Sequence, residues 1–262
     1  MQVVRTVAQM RAALPDDAGA TIGLVPTMGA LHAGHIALVR AARAECTCVV
    51  ASVFVNPAQF NDAADLTAYP RDEAGDLALA ADAGVDYVFA PDASELYRDG
   101  HATWVEPSGA ADGFEGDLRP GHFRGVATVV LKLFLIVRPD VVYFGQKDAQ
   151  QVAVVEQLVR DLNVDVEIRV IPTIRDHDGV ALSSRNARLS TPDRARAAAL
   201  PRALDAGTTA HRAGRDPVAA ARMLLAGLDV DYVEVADWNG RKTLVVAVRL
   251  GGTRLIDNVR LE

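Results

Sequence analysis

IGLVPTMGALHAGH, residues 22–35, reads as a short strand, a turn rich in small residues and the start of a helix. Residues 22–26 are apolar and typical of a strand, and residues 34–44 repeat apolar side chains on one helical face. Ligands of doubly wound sheets bind beyond the carboxyl ends of the strands, which is where this turn lies. Gly29 and Gly34 allow a ligand to approach the backbone, and the helix N-terminus offers N–H groups to a phosphate. The stretch therefore indicates an α/β fold with an anion site at this turn.

The alternation of strand and helix patterns continues beyond this stretch. The expected elements are strands at 48–55, 87–90, 141–144 and 165–171 and helices at 77–83, 126–137 and 150–162. Strands that alternate with helices form a parallel sheet with right-handed crossovers. We therefore expect a Rossmann-like parallel-sheet domain over residues 1–171.

The pattern changes near residue 172. A helical pattern begins at Thr191, where Pro201 limits or kinks it, and a second Ala-rich helix is expected at 217–227. Three short strand patterns follow, at 231–235, 243–248 and 254–257. The last two are joined by a turn at Gly251 and Gly252. This order predicts a smaller C-terminal α+β domain over residues 172–262, which we expect to act as a lid.

Composition excludes several classes of protein. The chain has 262 residues, of which 50% are hydrophobic and 23% charged, as in a soluble globular protein. A net charge of -7 argues against a nucleic-acid partner, because such binding needs many Lys and Arg contacts. The apolar run at 126–137 contains Lys132 and is too short to span a bilayer. Cys46 and Cys48 form neither a disulfide framework nor a zinc site, so we expect a cytoplasmic protein with no membrane partner.

His32 and His35 stand three residues apart, so they share one face of a helical turn. They can donate hydrogen bonds to phosphate oxygens and stabilise the charge that builds on a leaving pyrophosphate. A metal-binding pair and a pair of helix-capping histidines are the alternatives, and the spacing alone does not separate them.

Three further polar segments follow expected strand ends or the domain boundary. FVNPAQF, residues 54–60, brings Asn and Gln amides that suit a small substrate with hydroxyl and carboxylate groups. FGQKDAQQ, residues 144–151, offers Lys147 to a phosphate and Asp148 to ribose hydroxyls. SSRN, residues 183–186, combines two hydroxyls with a guanidinium as a phosphate clamp. The alternatives are an Asn-Pro turn, a helix cap at Asp148 and a polar interdomain loop.

A basic stretch, RPGHFRG at residues 119–125, shows no strong secondary-structure pattern. It is a candidate for a lid or for a second cationic wall of the site. The chain contains neither a P-loop pattern nor a nucleophile-elbow pattern, so these two classes of enzyme are excluded.

In order, these strings resemble those of the pantothenate synthetase (pantoate–β-alanine ligase) family. The resemblance runs from PTMGALHAGH through FVNPAQF, RPGHFRGVATVV, PDVVYFGQKDAQQ and LSSRN to GGTRLIDN, nearly the whole chain. This family belongs to the nucleotidyltransferase superfamily with a HIGH-type histidine motif. The resemblance implies that pantoate attacks ATP to form pantoyl adenylate and pyrophosphate, and that β-alanine then displaces AMP. It also implies Mg²⁺ with the ATP, and a homodimer.

The resemblance further implies roles for particular residues. The catalytic residues would be His35, His32, Lys147, Ser183, Ser184 and Arg185. The ATP-binding residues would be Met28, Gly29, Ala30, Leu31, His32, Ala33, Gly34, His35, Gly145, Gln146, Lys147, Asp148, Ile174, Leu182, Ser183, Ser184 and Arg185. The substrate-binding residues would be Gln59, Gln151, Met28, Val129 and Val130, with the valines facing the gem-dimethyl group of pantoate. Asp76 is the candidate Mg²⁺ ligand, although phosphates and water often hold most of this ion.

The chain departs from the family pattern at a few positions. Asn61 stands where the family often has Gly, Leu182 where Met is frequent, and Leu135 where Asn is common. A nucleotidyltransferase that makes a stable dinucleotide is the main rival function, and a non-catalytic nucleotide-binding module is the second. The pair Gln59 and Gln151 argues against the first, and the complete set of phosphate-handling positions argues against the second.

Overall fold

The computed structural model describes residues 1–15 and 19–262, and these residues divide into two compact units. The first unit comprises Met1–Gly145 and Gln150–Ile171, and the second comprises Gln146–Ala149 and Pro172–Glu262. The four-residue segment 146–149 thus belongs to the second unit, although the residues on both sides of it belong to the first. The functional assignments of an ATP- and pantoate-binding domain over residues 1–171 and a lid over residues 172–262 stay predictions.

A parallel sheet forms the centre of the first unit. Its strands in the described residues are β1 (Gln2–Val4), β2 (Ile22–Thr27), β3 (Cys48–Val53), β4 (Tyr87–Phe89), β5 (Val141–Gly145) and β6 (Glu167–Ile171). They lie in the order β1-β4-β3-β2-β5-β6, and all neighbouring pairs are parallel. From β2 the chain continues to β3 on one side and later to β5 on the other, so the strand order switches there. The turn after β2 therefore lies where open parallel sheets bind ligands.

Helices cover both faces of this sheet. They are α1 (Val7–Ala13), α2 (Ala33–Glu45), α3 (Ala63–Thr67), α4 (Glu73–Ala83), α5 (Ala93–Leu96), α6 (Phe114–Leu118), α7 (His122–Val137) and α8 (Ala149–Asp161). One cluster of buried side chains packs α1, α7 and α8 against the strands, and a second packs α2 and α4 against the opposite face. A sheet that is covered on both faces needs strands that are mostly apolar, and in β3 five of the six residues are apolar, the exception being Ser52.

The second unit places helices against an antiparallel sheet. In the described residues its strands are β7 (Asp229–Trp238), β8 (Arg241–Leu250) and β9 (Thr253–Arg260), and its helices are α9 (Thr191–Ala197), α10 (Ala199–Arg212) and α11 (Pro217–Leu224). Gly207 of α10 lies so near the sheet that a Cβ there would be 2.3 Å from Leu244 Cδ2. The Rossmann-like parallel sheet with a smaller C-terminal α+β part is thus confirmed.

Several elements differ from the expectations. Strand β1 and helix α1 were not expected, and β7 to β9 are longer than predicted. The interruption near Pro201 is a break at Ala198, after which Pro201 lies in the first turn of α10. Proline is tolerated there because the first N–H groups of a helix have no intrahelical partner.

No helix within the described residues is long and apolar enough to cross a membrane. Cys46 and Cys48 are buried free thiols. Burial, with the charge of Asp86 as a smaller cause, raises the pKa of Cys48 to about 11. This thiol is therefore protonated and unreactive near neutral pH, as expected of a core residue.

Candidate active site

The two motif histidines cap helix α2 reciprocally. His32 is the N-cap residue, and its Nδ1 accepts a hydrogen bond from the Gly34 N–H at 3.1 Å. His35 returns the contact, because its Nδ1 accepts from the His32 N–H at 3.3 Å. The two ring centroids lie 4.1 Å apart. The capping alternative raised by the sequence is therefore realised, and the cap holds both rings at the N-terminus of α2.

This cap determines where each imidazole proton lies. A neutral ring that accepts at Nδ1 carries its proton on Nε2, so each histidine presents an Nε2–H donor. A second proton on Nδ1 would remove the acceptor and break the cap. Gly34 is needed close to the ring, because a Cβ there would lie 2.8 Å from His32 Cε1. The pair is thus built to donate hydrogen bonds while neutral.

Asp76 holds the turn that precedes the histidines. This side chain of α4 is 4% exposed, and its two oxygens accept from the N–H groups of Ala30 at 2.9 Å and Leu31 at 2.6 Å. Gly29 and Ala30 have positive φ values of 77° and 50°, which a tight turn of this kind requires. A Cβ on Gly29 would lie 2.8 Å from Asp76 Oδ2. Asp76 is therefore a brace for the turn that carries the motif.

These contacts do not test the predicted role of Asp76 as a Mg²⁺ ligand. Both of its oxygens already have N–H partners, which reduces what they can give to a cation. Within residues 1–15 and 19–262, no group of three or more His, Cys, Asp or Glu side chains could hold a metal ion. The assignment of a Mg²⁺ ligand to Asp76 stays a prediction.

Gln59 is held on three sides. Its Oε1 accepts from Asn56 Nδ2 at 2.9 Å, and its Nε2 donates to Met28 Sδ at 3.0 Å. Its backbone carbonyl accepts from His122 Nδ1 at 2.9 Å and from Arg119 Nη2 at 3.4 Å. Because Oε1 is the atom that accepts from Asn56, the other end of the amide is the NH₂ group. One of its two hydrogens goes to Met28 Sδ, so the other remains for a substrate oxygen. The structure thus brings Met28 and Gln59 together.

Helix α7 packs closely against this amide. Asn56 Nδ2 also donates to the Gly125 carbonyl at 3.1 Å, and a Cβ on Gly125 would lie 2.3 Å from the Ala58 carbonyl oxygen. Val129 follows Gly125 by four residues and so lies on the same helical face. Val129 and Val130 are both buried in the first unit's core. An apolar surface therefore lies near Gln59.

The sequence-based interpretation of residues 119–125 is wrong in part. The stretch from His122 onward is helical, because α7 begins there rather than at residue 126. His122 is buried, and Arg119 contacts its Nε2 at 3.2 Å. These two residues brace the Gln59 backbone.

The neighbouring glutamines of α8 have different surroundings. Gln150 is buried, donates to the carbonyls of Ala110, Asp112 and Gly113, and accepts from the Glu115 N–H. Gln150 therefore fixes a loop of the first unit. Gln151, the predicted pantoate ligand, is only partly buried.

In the second unit, strand β9 holds the segment that carries Lys147. Asn258 donates to the backbone carbonyls of Gln146 at 2.9 Å and Lys147 at 2.8 Å. Lys147 Nζ lies 3.3 Å from Asp148 Oδ1. Gly145 ends β5 in the first unit, and a Cβ there would meet no described atom within 4 Å.

The remaining candidates lie on one hairpin of the second unit. The Leu182 N–H donates to the Ile174 carbonyl at 2.9 Å. Ser183 then caps a 3₁₀ helix, Ser184–Arg188, and its Oγ accepts from the Arg185 N–H at 3.3 Å. The Ser183 hydroxyl hydrogen thus remains for a ligand oxygen.

An ion pair fixes this hairpin. Arg175 binds Asp257 with both terminal nitrogens, at 2.6 and 3.0 Å, and it also donates to the Gly179 carbonyl. Burial alone would lower the pKa of Arg175, but the hydrogen bond and charge of Asp257 raise it above its usual value. The guanidinium is therefore always charged.

The structure also gives four residues orienting roles that the sequence did not predict. Asn56 and His122 orient Gln59, and Asp257 and Asn258 brace segments of the second unit. Asn56 could have been recognised from the sequence because it stands three residues before Gln59, at the start of the same short helical turn. The signal for the β9 pair was two consecutive polar residues in a strand of an apolar sheet.

A parallel sheet with a capped strand-to-helix turn at its switch point defines an α/β ligand-binding protein of the doubly wound class. Comparison with known proteins is more specific. The model of the family described as pantoate-beta-alanine ligase matches residues 2–260. The pantothenate synthetase of Cereibacter sphaeroides is 53% identical over 274 residues, which cover 98% of each chain.

Solved structures agree with this match. The pantothenate synthetase of Thermus thermophilus superposes with a TM-score of 0.94 at 46% identity, covering 100% of this chain and 99% of that one. The pantoate-beta-alanine ligase of Francisella tularensis, complexed with beta-gamma ATP and beta-alanine, gives 0.86 at 36% identity, covering 99% and 97%. This chain therefore belongs to the pantoate–β-alanine ligase family and is an enzyme of that type.

Replacing Asp76 by Asn should lower the free energy of unfolding by about 1–3 kcal/mol, because an NH₂ group would face one of the two backbone donors. The measurement is urea denaturation, once in EDTA, which removes any divalent ion, and once with Mg²⁺. Asp82→Asn, an exposed change on the same helix, should stay within about 0.5 kcal/mol of the parent. A loss that occurred only with Mg²⁺ present would identify Asp76 as a metal ligand instead.

Proposed function

We propose that this protein catalyses the ATP-dependent condensation of pantoate with β-alanine to pantothenate, through a pantoyl-adenylate intermediate. The observation that carries the proposal is the reciprocal cap of His32 and His35. It presents two neutral N–H donors at a helix N-terminus, beyond the strand at which the sheet order switches. Such a site suits the phosphates of a nucleotide.

The first step is adenylate formation. A pantoate carboxylate oxygen attacks the α-phosphorus of ATP, a new P–O bond forms, and pyrophosphate leaves with the electrons of the broken bond. The carboxylate is ionised at neutral pH, so this step needs positioning and charge stabilisation rather than a strong base. We assign this work to His32 and His35 in the first unit, and to Lys147 and the hydroxyl and guanidinium groups of residues 183–185 in the second.

The second step is acyl transfer. The β-alanine amine attacks the acyl carbon of the adenylate, AMP leaves with the electrons of the acyl–oxygen bond, and the new amide loses a proton to solvent. Gln59 is the group that we assign to pantoate and to the approach of the amine. Its orientation by Asn56 supports this role, because the free amide hydrogen has a fixed direction.

The nonpolar part of pantoate needs a different surface. Val129 lies on the α7 face that packs beside Gln59, and the Met28 thioether contacts the same amide. We assign these side chains, together with Val130, to the gem-dimethyl group, and Gln151 to a polar group of pantoate. One polar amide beside apolar side chains matches a small molecule with both characters.

Mg²⁺ enters as part of the substrate. Both Asp76 oxygens already accept backbone N–H groups, which supports a Mg²⁺ ion held mainly by ATP phosphates and water. The ion would neutralise charge on the leaving pyrophosphate. The family resemblance also supports a homodimer in the cytoplasm.

Incubation with MgATP, pantoate and β-alanine should release AMP and pyrophosphate in amounts that depend on pantoate. Coupled detection of pyrophosphate and chromatographic detection of AMP and pantothenate make the measurement. A nucleotidyltransferase would release pyrophosphate without pantoate, and a nucleotide-binding module would release neither product. Either result would overturn the proposal.

His35→Ala should lower kcat/KM by about 100-fold or more, because it removes a donor that stabilises charge in the transition state. His35→Asn is the matched control, since its carbonyl oxygen can still accept the His32 N–H. We expect His35→Asn to restore thermal stability but not activity. An unchanged kcat/KM in both variants would refute the role of His35.

Gln59→Ala should raise the KM for pantoate by about tenfold and leave the KM for ATP nearly unchanged, because pantoate and β-alanine are the substrates assigned to this amide. Gln157→Ala is the control. It removes a different side-chain amide, which lies on α8 and donates to the Ser108 carbonyl, and it should change neither KM. Equal losses for ATP and pantoate in Gln59→Ala would mean that Gln59 is structural.

A further inference from the structure

Strand β9 carries two consecutive polar side chains that are buried. Asp257 is 3% exposed and Asn258 is 5% exposed, and their cross-strand partners in β8 are Val246 and Val245. A buried polar group destabilises a protein unless it forms hydrogen bonds. Successive strand residues point to opposite faces, so the two side chains can serve two different segments.

The Asn258 side chain uses its whole amide on one short segment. Its two Nδ2 hydrogens go to the carbonyl of Gln146 at 2.9 Å and the carbonyl of Lys147 at 2.8 Å. Its Oδ1 accepts from Gln146 Nε2 at 3.1 Å. Two donations to consecutive carbonyls fix the backbone from which the Lys147 side chain extends.

Asn258 is itself held in place by the preceding residue, Asp257. Its backbone N–H donates to Asp257 Oδ1 at 2.8 Å, and Asp257 is held by the two-nitrogen contact from Arg175. A charge-assisted pair of this geometry is strong and directional. The Asn258 amide is therefore a rigid support.

Apolar packing does not provide the same support. Residues Gln146–Asp148 form a single 3₁₀ turn in which no residue is buried. The segment also belongs to the second unit, whereas the residues that flank it in the chain belong to the first. The hydrogen bonds from β9 therefore hold the backbone of this turn directly.

We propose that Asn258 is the positioning residue of Lys147, and that it holds the lysine backbone where the ammonium can meet a nucleotide phosphate. The inference rests on the phosphate role that the proposed function gives to Lys147. Asn258 acts only through Lys147 and touches no substrate.

The test is calorimetric titration of the full-length protein with MgATP in the absence of pantoate. Asn258→Ala should weaken binding about tenfold, because two hydrogen bonds to a partly buried backbone are lost. Lys147→Met, which keeps the aliphatic stem, should weaken binding at least as much. The double variant should bind no more weakly than Lys147→Met alone, since a lysine that is absent cannot be misplaced.

Val246→Ala is the matched control. Val246 lies in the core cluster of the second unit and pairs with Asp257, so it faces the side of the sheet opposite to the Asn258 side chain. The change removes buried methyl groups and so lowers stability. It should leave MgATP affinity within twofold of the parent, and any small effect should add to that of Lys147→Met. If Asn258→Ala does not fold, Asn258→Ser replaces it, because a hydroxyl can donate one of the two bonds; about threefold weaker binding is expected.

Losses that add in the double variant, or an Asn258→Ala affinity within twofold of the parent, would overturn the inference. An unchanged affinity in Lys147→Met would do the same. A parent protein that binds MgATP but releases no pantoate-dependent pyrophosphate would refute the proposed function, and the binding cycle would still decide the role of Asn258. A parent that binds no MgATP would refute both.

Discussion

The carboxylate of Asp76 fixes the turn on which the candidate site is built. Its two oxygens accept the N–H groups of Ala30 and Leu31, in a setting from which water is nearly excluded. Unpaired backbone donors in such a place would destabilise the turn by a few kcal/mol each, about 1–3. Because the turn is fixed, α2 must begin at Ala33, and His32 must take the N-cap position. The direction of both imidazole rings follows from this starting point of the helix.

The capped start of α2 also explains how an acidic protein can present a site for anions. The net charge is -7, and two substrates in the proposed function, ATP and pantoate, are anions. Neutral imidazole N–H groups and helix N-terminal amides attract phosphate without the desolvation cost of a buried cation. In the proposed function, Lys147 and Arg185 supply formal charge at only a few positions. In the proposed function, attraction therefore comes from local dipoles and a few cations and not from the net charge of the protein.

Sequence patterns predicted the elements whose signals are local. Strands β2, β3 and β5 are rich in apolar residues because both sheet faces are covered. The glycines of the motif turn are likewise visible in the sequence. Strand β1 has three residues, too few for a period to emerge. The start of α7 was missed because Gly121 and Gly125 resemble a loop, whereas Gly125 is present for a close backbone approach. The partners of Asp76 and Asn258 lie 45 and 112 residues away, beyond any local pattern.

Asn56 and Asn258 have the same role, which is to orient a candidate ligand residue through side-chain hydrogen bonds. Each asparagine donates from Nδ2 to a candidate ligand residue: Asn56 to the side-chain oxygen of Gln59 in the first unit, and Asn258 to the backbone carbonyl of Lys147 in the second. A carboxylate of the same shape could not donate, and a lysine or arginine would add a charge beside the substrate anions. Only an amide combines two directed donors with an acceptor and no net charge. Side-chain amides therefore orient the binding groups while leaving the electrostatic balance of the site to the groups that meet the substrate.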